Sequence, residues 1–403
     1  MKAGWKITTI DEIADVVTKG TTPTSIGHNF KEDGINFVKV ESITSDGRFL
    51  EHKLAHISDE CHQALRRSQI QAGDILFSIA GALGRTAIAP PELLPANTNQ
   101  ALSIIRLKDD APVFTPYLAH ALSSGFLLDQ IEVARGGAAQ QNLSLTQVKA
   151  FRVPLPPLED QRRIVAVLDE AFAGLARARA NAEANLADAR ELFSSLVDEV
   201  AVRPEWPTLP LKELASTDCS LSYGIVQPGD ETASGLPIVR PVDLTRRQIT
   251  LDGLKRISPD RASGYARTQL QGGELLLCVR GTTGTVGIAE PELSGANVTR
   301  GIVPIRFNDQ MVPLFGYYQV LSGFVQKQIE EKTYGAALMQ INIRDVKELR
   351  LSCPSVDEQK EAAERLERIA KKHVELLFDS EQKIRDLDDL RQSLLQKAFS
   401  GAL

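Results

Sequence analysis

The chain has 403 residues, 43% of them hydrophobic and 24% charged, with a formal net charge of -6. That length suits two or more separate cores, since single domains hold roughly 100 to 200 residues, and its four cysteines, Cys61, Cys219, Cys278 and Cys353, stand singly as expected buried thiols, with no CxxC pair to suggest a disulfide framework or a cysteine-rich zinc site. No apolar run approaches the ~18 to 20 residues of a membrane span and the first residues lack the basic-then-apolar plan of a signal peptide, so a soluble, cytoplasmic protein with no membrane partner is expected.

Residues 1–158 carry short runs of branched residues bounded by Gly, Pro or Asn, at 35–43, 74–79 and 102–107, which predict strands, with short helices predicted at 9–16 and 115–123. Three prolines within 154–157 then break the chain. Residues 159–200 hold one glycine, no proline, and mostly Ala, Leu, Glu, Arg and Asp, a composition that predicts one long helix of about 60 Å. The second domain is placed at 201–356, with a linker at 203–210, strands at 237–244, 274–279 and 302–307, and helices at 209–215 and 313–321. Residues 357–403 form a second long helix.

Both helices show a heptad. In the first, Leu168, Leu175, Ala182, Ala189 and Leu196 form one row, and Ala171, Ala178, Asn185 and Leu192 the other. In the second, Leu366, Ile369, His373, Leu376, Ser380, Lys383, Leu387, Leu390 and Leu394 take equivalent positions, which predicts that the two helices pack as a coiled coil. The polar or small residues midway, Asn185, Ser380 and Lys383 among them, are of the kind that fixes register.

The two halves are copies of one unit. The segment from Gln69 to Gly84, QIQAGDILFSIAGALG, returns from Gln269 to Gly284 as QLQGGELLLCVRGTTG, and the match continues through Ile88 and Ile288, Pro91 and Pro291, and Asn97 and Asn297. Upstream, Trp5 pairs with Trp206; downstream, Val148 pairs with Val346 and Gln161 with Gln359. The repeated unit is a small α+β domain followed by a long helix.

Catalytic signatures are absent from this pattern. The glycine motifs Gly81-Ala-Leu-Gly84 and Gly281-Thr-Thr-Gly284 match neither a phosphate loop nor a dinucleotide fingerprint and fit tight turns between strands. His56, Cys61 and His62 have no counterpart in the second half and no zinc spacing, so no metal site is assigned. Asp74 and Glu274, each just before a strand, fit turn closure better than acid–base work.

Polar loop residues suited to nucleic acid are better supplied, since Arg and Lys match guanine edges, and Asn and Gln match adenine. In the first half the candidates are Thr22, Thr24, Lys39, Arg85, Asn99, Gln100, Arg135, Gln140 and Gln141; in the second they are Tyr223, Arg240, Arg246, Arg247, Arg280, Thr299, Arg300, Tyr334 and Gln340. Lys39 and Arg240 occupy equivalent places, whereas Ala80 against Arg280 and Gln100 against Arg300 differ, as two readers of different short sequences would. The negative charge is no obstacle. Residues 1–158 carry -1, 159–200 carry -4, 201–356 carry +1 and 357–403 carry -2, so the acidity lies on the helices. Phosphate attraction to near-neutral halves would be modest, and a basic partner would have to add to it. A duplicated coiled-coil adaptor binding only proteins is the competing expectation.

In these features the chain resembles the specificity subunits of type I restriction-modification systems. The duplicated QxGD/E-I/L-L strand with its GxxG turn carries the resemblance, together with PLPPLEDQRRIVAVLDE at the entry to the first helix, CPSVDEQKEAAERLERI at the entry to the second, and LLQKAFSGAL at residues 394–403. The first repeat has Val197-Asp-Glu-Val-Ala where the second has KAFSG, and Leu351-Ser-Cys-Pro stands where the first has PLPP. The resemblance implies a non-catalytic subunit with two target recognition domains, each reading half of a bipartite double-stranded DNA site. It also implies antiparallel helices that set the spacing and dock two modification subunits. No cofactor is expected in this chain; S-adenosylmethionine would serve the modification subunits, and ATP and Mg the restriction subunits that join them.

Overall fold

The computed structural model describes residues 4–135, 142–335 and 338–403. They form two compact units, Met1–Ala182 with Gln382–Leu403, and Glu183–Glu381. Each unit thus combines a globular portion with adjoining halves of the two long helices, Leu158–Ala201 (44 residues) and Val356–Ser400 (45 residues). No helix among the described residues is long and apolar enough to cross a membrane.

In the first unit the strands are β1 (Lys6–Thr9), β2 (Ala14–Lys19), β3 (Ile35–Val38), β4 (Ala55–Ile57), β5 (Gln69–Ile70), β6 (Ile75–Ser78), β7 (Thr86–Ile88), β8 (Ala96–Thr98), β9 (Leu102–Leu107) and β10 (Arg152–Leu155). They make two four-stranded sheets, ordered β2-β9-β6-β7 and β4-β3-β8-β5, and the pair β1-β10. Strand β6 shows why the repeated ILFS and LLLC runs are wholly apolar or small. Side chains alternate across a sheet; Ile75 and Phe77 enter the core built with the helix Thr115–Leu122 and the long helices, while Leu76 enters a second core with Val38, Leu102 and Ile104. Both faces are covered, so no polar alternation is needed.

The second unit repeats this plan with β11 (Thr208–Pro210), β12 (Leu236–Val239), β13 (Gln248–Ile249), β14 (Lys255–Ile257), β15 (Leu275–Cys278), β16 (Val286–Ala289), β17 (Asn297–Val298), β18 (Ile302–Ile305) and β19 (Arg350–Ser352). Its sheets are ordered β13-β16-β15-β18 and β14-β12-β17, with the pair β11-β19. Leu275 and Leu277 face one core and Leu276 and Cys278 the other.

The acids before β6 and β15 are structural, as the turn reading expected. Asp74 is buried, accepts the Gln71 amide at 2.7 Å, and binds Arg106 through two bonds of 2.8 and 2.7 Å. Glu274 accepts the Gln271 amide (2.6 Å) and the Gly272 amide (2.9 Å) and binds Arg306 through one bond of 2.7 Å, the other arm of Arg306 reaching Asp218. Gly81 and Gly84 both take positive φ in the turn from β6 to β7. Cys61 packs with Phe37, Ile57 and Leu65, burial raising its pKa, and His62 bonds Asn97 at 2.5 Å. Those two have packing roles rather than ligand roles.

In each unit the long-helix segments run antiparallel. Arg163 donates to the Leu403 carbonyl (3.2 Å) and Arg179 to Asp388 (2.6 Å) in the first; the rings of Phe193 and His373 stack at 4.4 Å and Arg365 pairs with Glu199 (3.2 Å) in the second. One predicted heptad row is buried or half-buried throughout, with Leu168, Leu175, Ala182 and Leu196 on the first helix and Leu366, Leu387 and Leu394 on the second. Its companion row is displaced by one residue. Leu192, Leu376 and Leu390 are 55%, 51% and 48% exposed, and Asn185 and Lys383 are exposed too, so none of these five lies in the seam. Of that row, Ile369 alone packs against a hydrophobic core. The seam passes instead through Phe172, Arg179, Leu186 and Phe193, and through Ala370, Leu377, Ile384 and Arg391. Two arginines in that row disguise it. Arg179 turns its charge out toward Asp388, whereas Arg391 holds its guanidinium against the seam, over the Phe172 ring at 4.8 Å.

Helix entry is fixed by a glutamine whose role the sequence did not reveal. Gln161 is fully buried, donates to the Pro112 and Pro156 carbonyls and accepts the Phe114 amide; Gln359 repeats this with Gln310, Pro354 and Val312. The departure at the ends of the helices is likewise only in sequence. Leu395, Ala398 and Phe399 enter the core of the first unit, and Val197, Val200 and Ala201 enter that of the second.

Candidate nucleic-acid interface

Each unit gathers loops at the ends of its strands. In the first, the segment leaving β2 crosses the end of β8 so closely that a Cβ on Gly20 would lie 1.9 Å from the Thr98 carbonyl oxygen. Only glycine permits this approach. The Gly20 amide donates to Asn99 (3.1 Å) and that of Thr21 to Thr98 (3.2 Å), and the Thr22 hydroxyl donates to exposed Gln100 at 2.5 Å. Thr22, Asn99 and Gln100 are therefore brought together, with Thr24 exposed beside them on the same loop. The Asn99 side-chain oxygen already accepts the Ala101 amide, which leaves its NH2 group as the polar end for a ligand.

The second unit repeats the crossing. A Cβ on Gly224 would lie 2.0 Å from the Val298 carbonyl oxygen, the Arg300 amide donates to Ile225 (2.9 Å), and the Arg300 guanidinium sits 6.0 Å from the Tyr223 ring. Tyr223 donates its hydroxyl to the Ile341 carbonyl at 3.2 Å, linking this loop to the segment that carries Gln340. Arg280 and Gln340 form an antiparallel bridge, and Gln340 forms another with Tyr334. Three of the second-half candidates, Arg280, Tyr334 and Gln340, thus share one face, with Arg300 and Tyr223 on the adjoining loops.

Others are occupied elsewhere. Arg85 donates to the carbonyls of Val40 (3.0 Å) and Ile43 (2.7 Å), tying the β6–β7 turn to the loop after β3. Arg240 makes a two-bond pair with Asp243 at 3.1 and 2.8 Å. Arg247 binds Glu367 on the second long helix. Thr299 is buried, its hydroxyl turned to Val239. In these four, sequence position put a donor in a polar segment, and the folded chain gives it a nearer backbone or carboxylate partner. Lys39 lies 4.0 Å from Glu41 and over the Phe30 ring at 4.6 Å, so it is partly engaged. Arg246 is exposed. Gln140 and Gln141, and the side chain of Arg135, lie outside the described residues.

The family model for the type I restriction modification DNA specificity domain matches residues 2–184 and 235–385. The chain belongs to that family. Among its relatives, the Escherichia coli type I restriction enzyme EcoBI specificity subunit is 23% identical across 99% of this chain and 86% of its own length. A putative type I restriction enzyme MjaX specificity subunit from Methanocaldococcus jannaschii is 24% identical across 91% and 86%. A chain solved in work on complex assembly and conformational transition of the type I restriction-modification system shares the fold with a TM-score of 0.77, at 21% identity and covering 100% of this chain and 99% of that one. The HsdS subunit of Thermoanaerobacter tengcongensis shares it with a TM-score of 0.56, at 20% identity over 100% and 98%. The first matched segment contains the whole of the first loop face, and the second contains Arg280, Arg300, Tyr334 and Gln340, while Tyr223 and Gly224 lie between the two segments. Among the described residues no three His, Cys, Asp or Glu side chains are grouped to hold a metal ion.

Proposed function

We propose that the chain supplies the DNA sequence specificity of a type I restriction-modification complex and performs no chemistry itself. Each globular portion reads one half of a bipartite double-stranded site. The long helices set the distance between the halves and dock two modification subunits. Methyl transfer from S-adenosylmethionine then belongs to those subunits, and the ATP- and Mg-dependent steps to restriction subunits that join them. The observation that carries this reading is the duplicated loop face, built on the same glycine crossing at Gly20 and Gly224 but lined by different donors. Two readers are also what specificity demands. A correct base pair is worth about 1–3 kcal/mol and a genome offers ~10⁶ or more competing sites, so one small module alone discriminates poorly.

The test is selection from a random duplex library by the full chain co-purified with its modification subunits, followed by exchange of residues 202–355 for those of another family member. A bipartite motif is expected, of which the exchange alters one half. Failure to enrich any motif would favour a protein-only adaptor, and a change in both halves would contradict independent readers.

A further inference from the structure

The second unit carries a row of side chains that begins at Arg280, a position held by Ala80 in the first. Beyond β15 the chain runs through Val279, Arg280 and Gly281, held on one flank by the Ile341 amide donating to Val279 (3.0 Å) and the Gly281 amide donating to Met339 (2.8 Å). On the other flank the Val279 amide donates to Gly301 at 2.8 Å. Arg280 is therefore presented from backbone fixed on both sides rather than from a loose loop. Its antiparallel bridge to Gln340, and that of Gln340 to Tyr334, put three side chains on one face of a short sheet, because directly opposed residues of antiparallel strands project the same way. Opposed residues stand about 4.5–5.5 Å apart, so the row presents a guanidinium, an amide and a phenol in succession. Arg300, in the turn that enters β18, flanks the row with its guanidinium beside Tyr223.

The charge on this row is free to act. Arg240, Arg247 and Arg306 of the same unit are matched by Asp243, Glu367 and Glu274, whereas neither Arg280 nor Arg300 has an ion pair among the described residues. Arg280 and Gln340 are half-buried, and Tyr334, 44% exposed, and exposed Arg300 lie beside them, so the row reaches solvent. In the first unit the places of Arg280 and Arg300 are held by Ala80 and Gln100.

We propose that Arg280 is a specificity-determining residue that reads guanine, through O6 and N7, in the half-site recognised by the second unit, with Gln340 beside it directed at a neighbouring base. This rests on the DNA-recognition function proposed above. A fixed strand favours base reading, since two-pronged recognition of a guanine edge needs a guanidinium held in one orientation, whereas a phosphate contact needs only charge. The first unit, lacking that guanidinium, reads its half-site without this guanine contact.

The experiment is library selection with the full chain and its modification subunits, comparing wild type with Arg280→Ala, Arg280→Lys and Gln340→Ala. The half-site that responds to exchange of residues 202–355 is expected to contain a required G·C pair. Arg280→Ala relaxes preference at that pair by about tenfold to a hundredfold, leaving the other half-site intact. Retention of the other half-site shows that the variant is folded. Arg280→Lys keeps binding but loses part of the discrimination, and Gln340→Ala relaxes a different position. A uniform loss over all sequences, with the salt dependence reduced by about one phosphate, would mark a backbone contact and overturn the assignment. So would a half-site without any G·C pair, or unchanged preference in Arg280→Ala. If the wild-type chain selects no motif, the proposed function itself falls and this assignment with it.

Discussion

Arg247 of the second recognition portion binds Glu367 of the second long helix at 2.7 Å, with its guanidinium 4.9 Å from the Tyr317 ring and 5.7 Å from that of Tyr318. Burial works against the charge on Arg247, but the Glu367 bond and the two tyrosines outweigh it and its pKa is raised. The next residue begins β13, so the pair joins a recognition sheet to the helix of its own unit. In the first unit the direction of the link is reversed: Arg391 of the helix donates to the Ser45 carbonyl at 3.3 Å.

Arg247→Ala is therefore expected to act on stability and not on base choice. Both partners are about a third or more exposed, so the pair and its ring contacts are worth only about 1–2 kcal/mol, a melting shift of a few degrees. Calorimetry together with library selection checks this. An altered base preference at unchanged melting temperature would place Arg247 on DNA.

The phase of the helix seam separates two leucines of the first long helix. Leu192→Glu, at a half-exposed site, is expected to leave the melting curve within about 0.5 kcal/mol of wild type. Leu168→Ala, at a fully buried one, costs about 2–5 kcal/mol. Denaturant titration distinguishes the two, and equal effects would refute the seam described here.

Gln161 and Gln359 satisfy three backbone groups each at the helix entries. Replacing either by Ala strands those groups, with an expected loss of about 1–3 kcal/mol per site. The two losses should add in the double variant, because the sites lie in separate units. Urea midpoints of the two single variants and the double variant measure this.

His120 contacts Asp169 at 2.9 Å, yet burial prevails over that carboxylate and, with help from Arg391, lowers its pKa. The unfolded chain then takes up a proton near the ordinary histidine value of about 6.5 while the folded one resists. The stability tied to this group is present above that pH and is lost as pH falls toward the lower folded value. His373, lowered by burial against Phe193, has the same sign. Stability of wild type and His120→Gln, compared between pH 7 and 5, should converge on acidification; parallel curves would mean that His120 titrates normally when folded.

The repeat, the long helices and the family were determined by the sequence alone, because each is written in local, covalent order. A copied segment recurs at a fixed interval, and a run of helix formers without proline needs no partner to be recognised. One heptad row was legible for the same reason. The choice of its companion was not, since Ala171 and Ala178 look as apolar as Phe172, and Arg179 and Arg391 look like surface residues until Asp388 and the Phe172 ring are placed beside them. The arginines of the recognition loops show the same limit. Arg85, Arg240, Arg247 and Arg280 are alike in sequence, each a donor in a polar segment. The Arg240 pair is local, to Asp243 three residues on, but only tertiary structure turned Arg85 toward two carbonyls and Arg247 toward Glu367, and left Arg280 without a carboxylate among the described residues. An ion pair depends on which distant groups the fold brings within about 3 Å, and that is a property of the packed chain.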